Sequence, residues 1–289
     1  MIWHDLKDAN DPELDVLAER YHLHPLHVED CRHRNQRAKV EEGADYVFIV
    51  LKPVHVTAAG ELEITDFDVF LGRDYVITVQ EGECPSLRAS LDQFHSANQQ
   101  ARADQLLYKF MDSTVDAYAP VLDWFNEAID SIEDAVLEKP SPVTLQRIFA
   151  VKRELIELRR VITNMRDVAG QLQRLETELI QHDLWPFLRD VYDHLARNAD
   201  MVEMQRDLLT GAMDIYLSSV ANRTNQVMKV LTVLTTVFMP LTLIAGLWGM
   251  NIPLPHFPGG DAAQFWWLSG FMVAIVVMML GLFRRNRWI

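Results

Sequence analysis

Two long apolar runs without charge lie in the C-terminal part of the chain. The 19 residues from Val230 to Trp248 contain no ionisable side chain, and neither do the 19 residues from Phe265 to Phe283. A helix of this length just crosses the hydrocarbon core of a bilayer, where every backbone polar group must be bonded within its own segment. The pattern therefore predicts two transmembrane helices, over 226–248 and 265–283, joined by a loop over 249–264.

The segments around these runs predict their orientation. The connecting loop is rich in proline and glycine, which end a helix, and it contains no lysine or arginine. Basic residues lie at the other ends, with Lys229 before the first run and Arg284, Arg285 and Arg287 after the second. Because basic flanks stay inside, we expect both termini in the cytoplasm, the loop outside, and a multi-pass protein of the cytoplasmic (inner) membrane.

The first hundred residues alternate short apolar runs with helical patterns that begin at prolines. This predicts a mixed α/β domain over residues 1–100, with a small sheet flanked by helices. The predicted strands are Ile2–Leu6, Tyr46–Leu51, Ile64–Leu71 and Tyr75–Val79, the last two joined by a turn at Gly72–Asp74. The predicted helices begin with Asp11 as N-cap and Pro12 as first residue, at Pro25 (to about Cys31) and at Pro85 (toward Asn98).

From Ala103 onward the pattern is helical. It predicts helices over Ala103–Glu138 and about Val143–Ile180, and a third from near Pro186 into the first membrane run. If this third helix continues to Leu247 it is about 93 Å long, too long for an ordinary globular helix. We therefore expect a fold of the α+β class: the α/β domain, a helical stalk region over 101–225, and a transmembrane domain over 226–289.

Charge is distributed unevenly along the chain. There are 27 Lys and Arg against 41 Asp and Glu, a net charge of -14, and because the residues from Lys229 onward carry +3, the first 228 carry -17. This negative charge on residues 1–228 argues against nucleic acid as a partner and favours the binding of cations. The cysteines, Cys31 and Cys84, lack metal-ligand spacing and are predicted to be reduced thiols. We predict no enzymatic activity, since no arrangement of catalytic residues is recognisable.

One face of the first membrane run is partly polar. Its residues recur every three or four positions and are Asn225, Met228, Leu231, Thr235, Met239, Thr242, Gly246 and Gly249. In a ring of subunits, Met228 and Leu231 would form an apolar constriction that gates by loss of water, whereas Asn225 and Thr242 would contact water around an ion. The alternative is that Met228 and Leu231 only pack against neighbouring helices.

The tripeptide Gly249-Met250-Asn251 follows this run at its outer end. One interpretation is a helix C-cap, with glycine just beyond the last helical residue. The other is a selectivity site, in which Asn251 side chains and backbone carbonyls from several subunits coordinate a hard cation or its hydration water.

Several stretches closely resemble the CorA family of magnesium transport proteins. They are NRTNQVMKVLT and FMPLTLIAGLWGMN within 222–251, HPLHVED at His24–Asp30, KVEEGADYVFIVLK at Lys39–Lys52, FLRDVYDH at Phe187–His194, and the terminal RRNRWI. The resemblance covers nearly the whole chain and implies a homopentamer in which five copies of the first span line the pore. The outer loop departs from the family pattern, because Ile-Pro-Leu-Pro replaces the frequent Met-Pro-Glu-Leu and the usual glutamate is missing.

The resemblance also implies cation-binding carboxylates outside the membrane. Asp30 and Asp190 match the pair that holds a regulatory Mg2+ between adjacent subunits, with Glu29 placed to assist, and Asp214 would form a ring around the stalk axis. For any one of these residues, a solvated carboxylate on a helix surface is the ordinary alternative.

A second metal hypothesis concerns His22, His24 and His27, whose spacing suggests a zinc or nickel site. It is the less favoured interpretation, because Pro25 places these histidines on either side of a helix start.

The sequence thus predicts passive transport of Mg2+, with Co2+ and Ni2+ as further ions, through a pentameric pore that cytosolic Mg2+ closes. The expected partners are other copies of the chain, membrane lipid and divalent cations. Two alternatives stay open: a Zn2+ transporter of the same superfamily, and a membrane-anchored coiled-coil scaffold without transport. The intact Gly249-Met250-Asn251 favours magnesium, and a scaffold would not need a polar face through the first span.

Overall fold

The computed structural model describes residues 1–33, 36–81, 87, 102–250, 260–286 and 288. These residues form two compact units, Met1–Ile215 and Tyr216–Ile289. The helix predicted to begin at Pro85 lies outside the described residues, as do Cys84 and most of the predicted loop.

A five-stranded sheet forms the centre of the first unit. Its strands are β1 (Ile2–Leu6), β2 (Lys39–Glu42), β3 (Tyr46–Leu51), β6 (Phe67–Gly72) and β7 (Tyr75–Gln80), in the spatial order β1-β7-β6-β3-β2. Strand β1 runs parallel to β7, and the other neighbours are antiparallel. A separate two-stranded ribbon pairs β4 (Val54–Val56) with β5 (Leu62–Ile64). Nearly every residue of β3, β6 and β7 is buried, because helices cover both faces of the sheet.

The helices are α1 (Glu13–Arg20), α2 (Pro25–Arg32), α3 (Ala103–Asp116), α4 (Tyr118–Glu138), α5 (Pro142–Leu172), α6 (Trp185–Trp248) and α7 (Gly260–Arg285), with a 3-10 turn at His182–Leu184. Helices α1 and α2 cover one face of the sheet, where Leu14 and Val28 join a buried cluster with Phe48. Helix α3 covers the other face, where the rings of Phe67 and Phe110 meet edge to face at 5.1 Å between centroids.

The predicted strand Ile64–Leu71 is wrong, because the chain forms two strands there, separated by Thr65 and Asp66. The carboxylate of Asp66 forms a buried ion pair with Lys52 and accepts a hydrogen bond from the backbone N–H of Gln36 at 2.8 Å. The strand ends here because the side chain of Asp66 is turned to these two partners in the core, while its carbonyl accepts the N–H of Glu81 at 3.0 Å. The predicted strands Ile2–Leu6 and Tyr46–Leu51 are observed as predicted, and the β6–β7 hairpin is confirmed.

The sequence missed strands β2 and β4. Strand β2 reads KVEE and has a single apolar residue, so it shows no alternating pattern. Strand β4 is three residues long. Both pair through backbone hydrogen bonds that a short or polar sequence does not reveal.

Three predicted helix limits also need correction. The single helix Ala103–Glu138 is interrupted at Ala117, just before the fully buried Tyr118, whose hydroxyl donates to the carbonyl of Lys52 at 2.8 Å. The helix predicted to reach Ile180 ends at Leu172, two residues after Gly170.

The remaining difference lies at the first helix. Helix α1 begins at Glu13, one residue later than predicted, and Pro12 occupies the N-cap position. The carboxylate of Asp11 still caps the helix by accepting the N–H of Glu13 at 2.9 Å. The helix start was therefore predicted at the right place in the chain, but one residue too early.

Helix α6 is the longest element, with 64 residues and a length of about 96 Å. Within the first unit it buries a stripe of apolar residues: Leu188, Val191, Leu195, Val202 and Leu209. Within the second unit, α6 and α7 each contain a segment long and apolar enough to cross a membrane, and none of either apolar window is buried. The predicted α+β class, with a long stalk helix and a C-terminal apolar helix, is confirmed.

An unfavourable charge lies in the core beneath α2. Asp68 on β6 is only 2% exposed, and its Oδ1 has no hydrogen-bond partner within the part of the chain that the structure describes. Burial and the nearby Asp66 raise the pKa of Asp68 to about 7, partly offset by the thiol of Cys31 and the ammonium of Lys52, with Asp30 adding a further rise.

We expect Asp68→Asn to stabilise the protein at alkaline pH and to remove part of its pH dependence. The folded state keeps the Asp68 proton up to about pH 7, whereas the unfolded chain releases it near about pH 4, so wild-type stability falls as pH rises between these values. When the apparent thermal midpoint is measured across this pH range, that of the variant should exceed that of the wild type by a few degrees at the alkaline end. A difference that is constant with pH would contradict the assignment.

Candidate functional site

The membrane segment of α6, residues 226–248, presents the predicted polar face to its surroundings. On that face, Met228, Leu231 and Thr242 are all exposed. The hydroxyl of Thr235 donates to the carbonyl of Leu231 at 2.6 Å, and that of Thr242 donates to Phe238 at 2.8 Å. Each donor is therefore satisfied within the helix, while the oxygen lone pairs stay free to accept hydrogen bonds from water.

The other predicted members of this face also lie on the helix. They are Asn225, Met239 and Gly246, and all three are exposed. A Cβ added at Gly246 would meet no atom within 4 Å, so the chain's own packing does not require glycine there. The structure therefore places seven of the eight residues of the predicted face on α6, with Gly249 directly after its last residue.

Helix α6 ends where the Gly-Met-Asn tripeptide begins. The N–H of Gly249 donates to the carbonyl of Ala245 at 2.9 Å, and that of Met250 donates to Leu247 at 3.4 Å. This is the geometry of a helix end. Asn251 lies outside the described residues, so its predicted role in selectivity stays a prediction.

A column of four carboxylates runs along the stalk part of α6 at a spacing of seven residues: Asp193, Asp200, Asp207 and Asp214. All four are exposed, while Leu195, Val202 and Leu209 are buried on another side of the helix. Sequence reasoning identified only Asp214, although the seven-residue period was readable from the sequence.

The same register continues into the membrane segment. Counting on from Asp214 by sevens leads through Ala221 to Met228, Thr235, Thr242 and Gly249. A strict seven-residue repeat keeps one face toward the axis of a supercoiled bundle. In such a bundle the carboxylates and the predicted pore residues would face the same axis.

The structure places Asp30 on α2 in a network of charged groups. The ammonium of Lys39 contacts Asp30 Oδ2 at 2.6 Å and Glu41 Oε1 at 2.9 Å. Burial lowers the pKa of Lys39, but the hydrogen bonds to these two carboxylates outweigh it and raise the pKa above its usual value. Asp30 is thus already paired with a cation of its own chain. Glu29 lies beside His33, with 3.7 Å between oxygen and nitrogen.

Asp190 lies elsewhere, on α6, where its carboxylate is 3.7 Å from the ring of His194. No hydrogen bond or ion pair links Asp190 to Asp30 within the described part of the chain. No group of three or more His, Cys, Asp or Glu that could hold a metal is present among the described residues. Asp30 and Asp190 therefore contact different partners in the described chain, and their pairing stays a prediction.

The histidines near Asp30 are occupied by other contacts. His24 Nδ1 accepts the N–H of Leu26 at 3.3 Å and so caps α2. The His27 ring contacts the Tyr46 hydroxyl at 2.8 Å and Glu41 at 3.0 Å, and burial is the main reason that its pKa is lowered. These are structural contacts, and they do not form the zinc or nickel site considered from the sequence.

The comparisons with known proteins cover the chain almost completely. A family model described as CorA-like Mg2+ transporter protein matches residues 1–285. Over 94% of its length the chain is 39% identical to the cobalt/magnesium transport protein CorA of Thermotoga maritima, covering 79% of that protein. It is 25% identical to the protein of the same name from Methanocaldococcus jannaschii, covering 100% of this chain and 92% of that one.

Solved structures show the same fold. The CorA magnesium transporter of Methanocaldococcus jannaschii superimposes with a TM-score of 0.88 at 23% identity, covering 99% of this chain and 91% of that one. The full-length CmaX protein superimposes with a TM-score of 0.79 at 22% identity, covering 99% and 88%.

The protein has an acidic α/β unit, a stalk helix that continues as an unburied apolar helix, and a second unburied apolar helix. Together with these comparisons, this architecture is that of a membrane transport protein. The chain belongs to the CorA-like Mg2+ transporter family. It is a transporter of divalent metal ions across a membrane, and the prediction that it is not an enzyme is confirmed.

Proposed function

We propose that five copies of the chain form a pore through which Mg2+ crosses the cytoplasmic membrane down its electrochemical gradient. The observation that carries this proposal is the polar face of the α6 membrane segment, which is unburied within the chain and whose threonine donors are already satisfied. Such a face is unfavourable against lipid. It becomes favourable when several copies turn it toward a shared aqueous axis.

The chemistry of this face suits a hydrated hard cation. Water bound to Mg2+ donates hydrogen bonds, and the hydroxyl oxygens of Thr235 and Thr242 retain lone pairs to accept them. Mg2+ loses its hydration shell reluctantly and so favours neutral oxygen ligands that contact its water. Asn251 at the end of α6 would supply further oxygens to the same shell.

The column of four aspartates on α6 is consistent with the same pore axis at the cytosolic end of the helix. Five copies of Asp193, Asp200, Asp207 and Asp214 would line the path with negative charge in the register of Met228 and Thr235. A narrow path lined by one sign of charge concentrates counter-ions, here divalent cations. The related proteins named for cobalt and magnesium transport support Mg2+ and Co2+ as the ions carried.

Orientation follows from the basic flanks. Lys229 and the arginines at the C-terminal end of α7, Arg284 and Arg285, favour both termini in the cytoplasm and the loop at 249–264 outside. The domain boundaries at 100/101 and 225/226 are part of the same proposal, with the α/β domain and stalk region in the cytosol.

Regulation by cytosolic Mg2+ would use Asp30 of one copy and Asp190 of the next. A divalent ion between them turns a repulsion between carboxylates into an attraction and holds neighbouring copies in the closed arrangement. The ion pair between Lys39 and Asp30 adds a feature of its own, because the ammonium competes with Mg2+ for the same oxygen. This competition weakens the binding of Mg2+ to Asp30, so that the site fills only at higher Mg2+ concentrations.

Mg2+ uptake into proteoliposomes tests the transport proposal directly. We expect the wild-type protein to take up Mg2+ and Asn251→Ala to reduce uptake to background while the pentamer stays assembled. Asn286→Ala is the matched control, because it removes an amide beyond the end of α7 and should leave uptake unchanged. Wild-type uptake by a correctly inserted Asn251→Ala protein would overturn the selectivity role, and uptake of Zn2+ in place of Mg2+ would support the alternative ion.

The gate can be tested with a polar substitution on either side of α6. We expect Met228→Ser to raise resting Mg2+ flux several-fold, since a hydroxyl in the constriction favours water. Val230→Ser places the same group on the opposite side of the helix, about 200° around, and should leave flux unchanged. Equal flux in all three proteins would show that the constriction lies elsewhere.

Limited proteolysis at graded Mg2+ concentrations tests the sensor. We expect a protein with Asp30→Asn and Asp190→Asn to need several-fold more Mg2+ for protection, and Lys39→Gln to need several-fold less, because the competing ammonium is gone. Lys7→Gln, which changes an exposed lysine of the same unit, is the control. If the protection curves of all four proteins coincide, Asp30 and Asp190 are not the sensor.

A further inference from the structure

A cavity of about 430 Å³ lies between helix α5 and the sheet of the first unit. Its floor is formed by the buried residues Ala38, Lys52, Val161 and Asn164, together with Ile64. Its rim is formed by Gln36, Arg37, Glu157 and Arg160. The cavity has the size of a site for a small metabolite.

The lining of this cavity is basic, although the unit around it is acidic. Arg37, Lys52 and Arg160 supply three positive charges, and Glu157 is the one carboxylate among the lining residues that the structure describes. The charge of Lys52 is balanced by Asp66. The two arginines therefore exceed the remaining carboxylate by one positive charge, in a region whose first 228 residues carry -17.

The two arginines are positioned differently, and both keep free donors. Arg37 Nε donates to Asn164 Oδ1 at 3.0 Å, which fixes the plane of the guanidinium and leaves its two terminal NH2 groups available. Arg160 lies on α5 one turn before Asn164 and forms no ion pair or hydrogen bond with the residues that the structure describes. A guanidinium with two free NH2 groups matches the oxygens of a phosphate in a bidentate arrangement.

The remaining polar groups indicate what the phosphate is attached to. Asn164 holds an amide nitrogen at the floor, and Glu157 offers acceptor oxygens at the rim. A free inorganic anion would meet repulsion from Glu157, whereas a hydroxyl group would donate a hydrogen bond to it. The cavity also has more volume than a phosphate alone would fill.

We propose that this cavity binds a small phosphate monoester, with its phosphate on Arg37 and Arg160 and a hydroxyl of its organic part on Glu157. This adds to the cation transporter a separate site for an anionic metabolite, on the same unit that carries Asp30.

Calorimetric titration of the full-length protein in EDTA tests the proposal with three probes: ribose 5-phosphate, inorganic phosphate and ribose. We expect saturable binding of ribose 5-phosphate at one site per chain, weaker binding of inorganic phosphate, and no binding of ribose. Arg160→Gln should weaken binding of ribose 5-phosphate about tenfold or more, because it removes a charge-assisted hydrogen bond. The double variant with Arg37→Gln should abolish the binding.

Arg153→Gln is the matched control, because it removes the same charge from an exposed position of α5 about 10 Å before Arg160 and outside the cavity. It should bind like the wild type. The proposal is overturned if the wild type shows no saturable binding, if Arg153→Gln weakens it as much as Arg160→Gln, or if inorganic phosphate binds as tightly as ribose 5-phosphate. Because Arg160 has no partner among the described residues, Arg160→Gln should leave the thermal midpoint unchanged. An unchanged midpoint shows that lost binding is not caused by unfolding.

Discussion

The structure depends on the backbone hydrogen-bond ladder of α6. Inside a bilayer no water is available to satisfy a free N–H or C=O, so a membrane-crossing segment must bond its own backbone. Helix α6 stays helical over 64 residues, although Pro240 has no N–H and leaves the ladder one bond short. The threonine hydroxyls of the membrane segment use the same ladder, because they donate to carbonyls four residues earlier. Polar side chains can therefore line one face of this helix without leaving donors unsatisfied.

In the first unit, lysines form ion pairs with several of the carboxylates. Lys39 pairs with Asp30 and Glu41, and Lys52 pairs with Asp66 in the core. Breaking one partner of the buried pair would leave an uncompensated charge in a low-dielectric interior, which is strongly destabilising. The ion pair of Asp30 is more accessible, since the side chains of Lys39 and Asp30 are 26% and 24% exposed, against 5% and 7% for Lys52 and Asp66. Solvent therefore screens the pair at Asp30 more than the pair in the core.

Parts of the candidate site could be predicted from local spacing. The face with Thr235 and Thr242 follows from a three-and-four-residue period, and the column through Asp207 and Asp214 follows from a seven-residue period. The partner of Asp30 could not be predicted in this way, because Lys39 follows a helix end and lies on the adjacent strand. No hydrogen bond or ion pair joins Asp190 to Asp30 within the described part of the chain.

The sequence by itself determined the two membrane helices, the long stalk helix, the central strands and the family, because periodicity, length and charge are local properties that survive any packing. Only the tertiary structure decided where elements break and which polar groups meet. The interruption at Ala117 accompanies the burial of Tyr118 against Lys52, 66 residues away in sequence, and the basic cavity exists because Arg37 reaches Asn164 across 127 residues. Such contacts bring together residues that are far apart in sequence, and no local pattern encodes them.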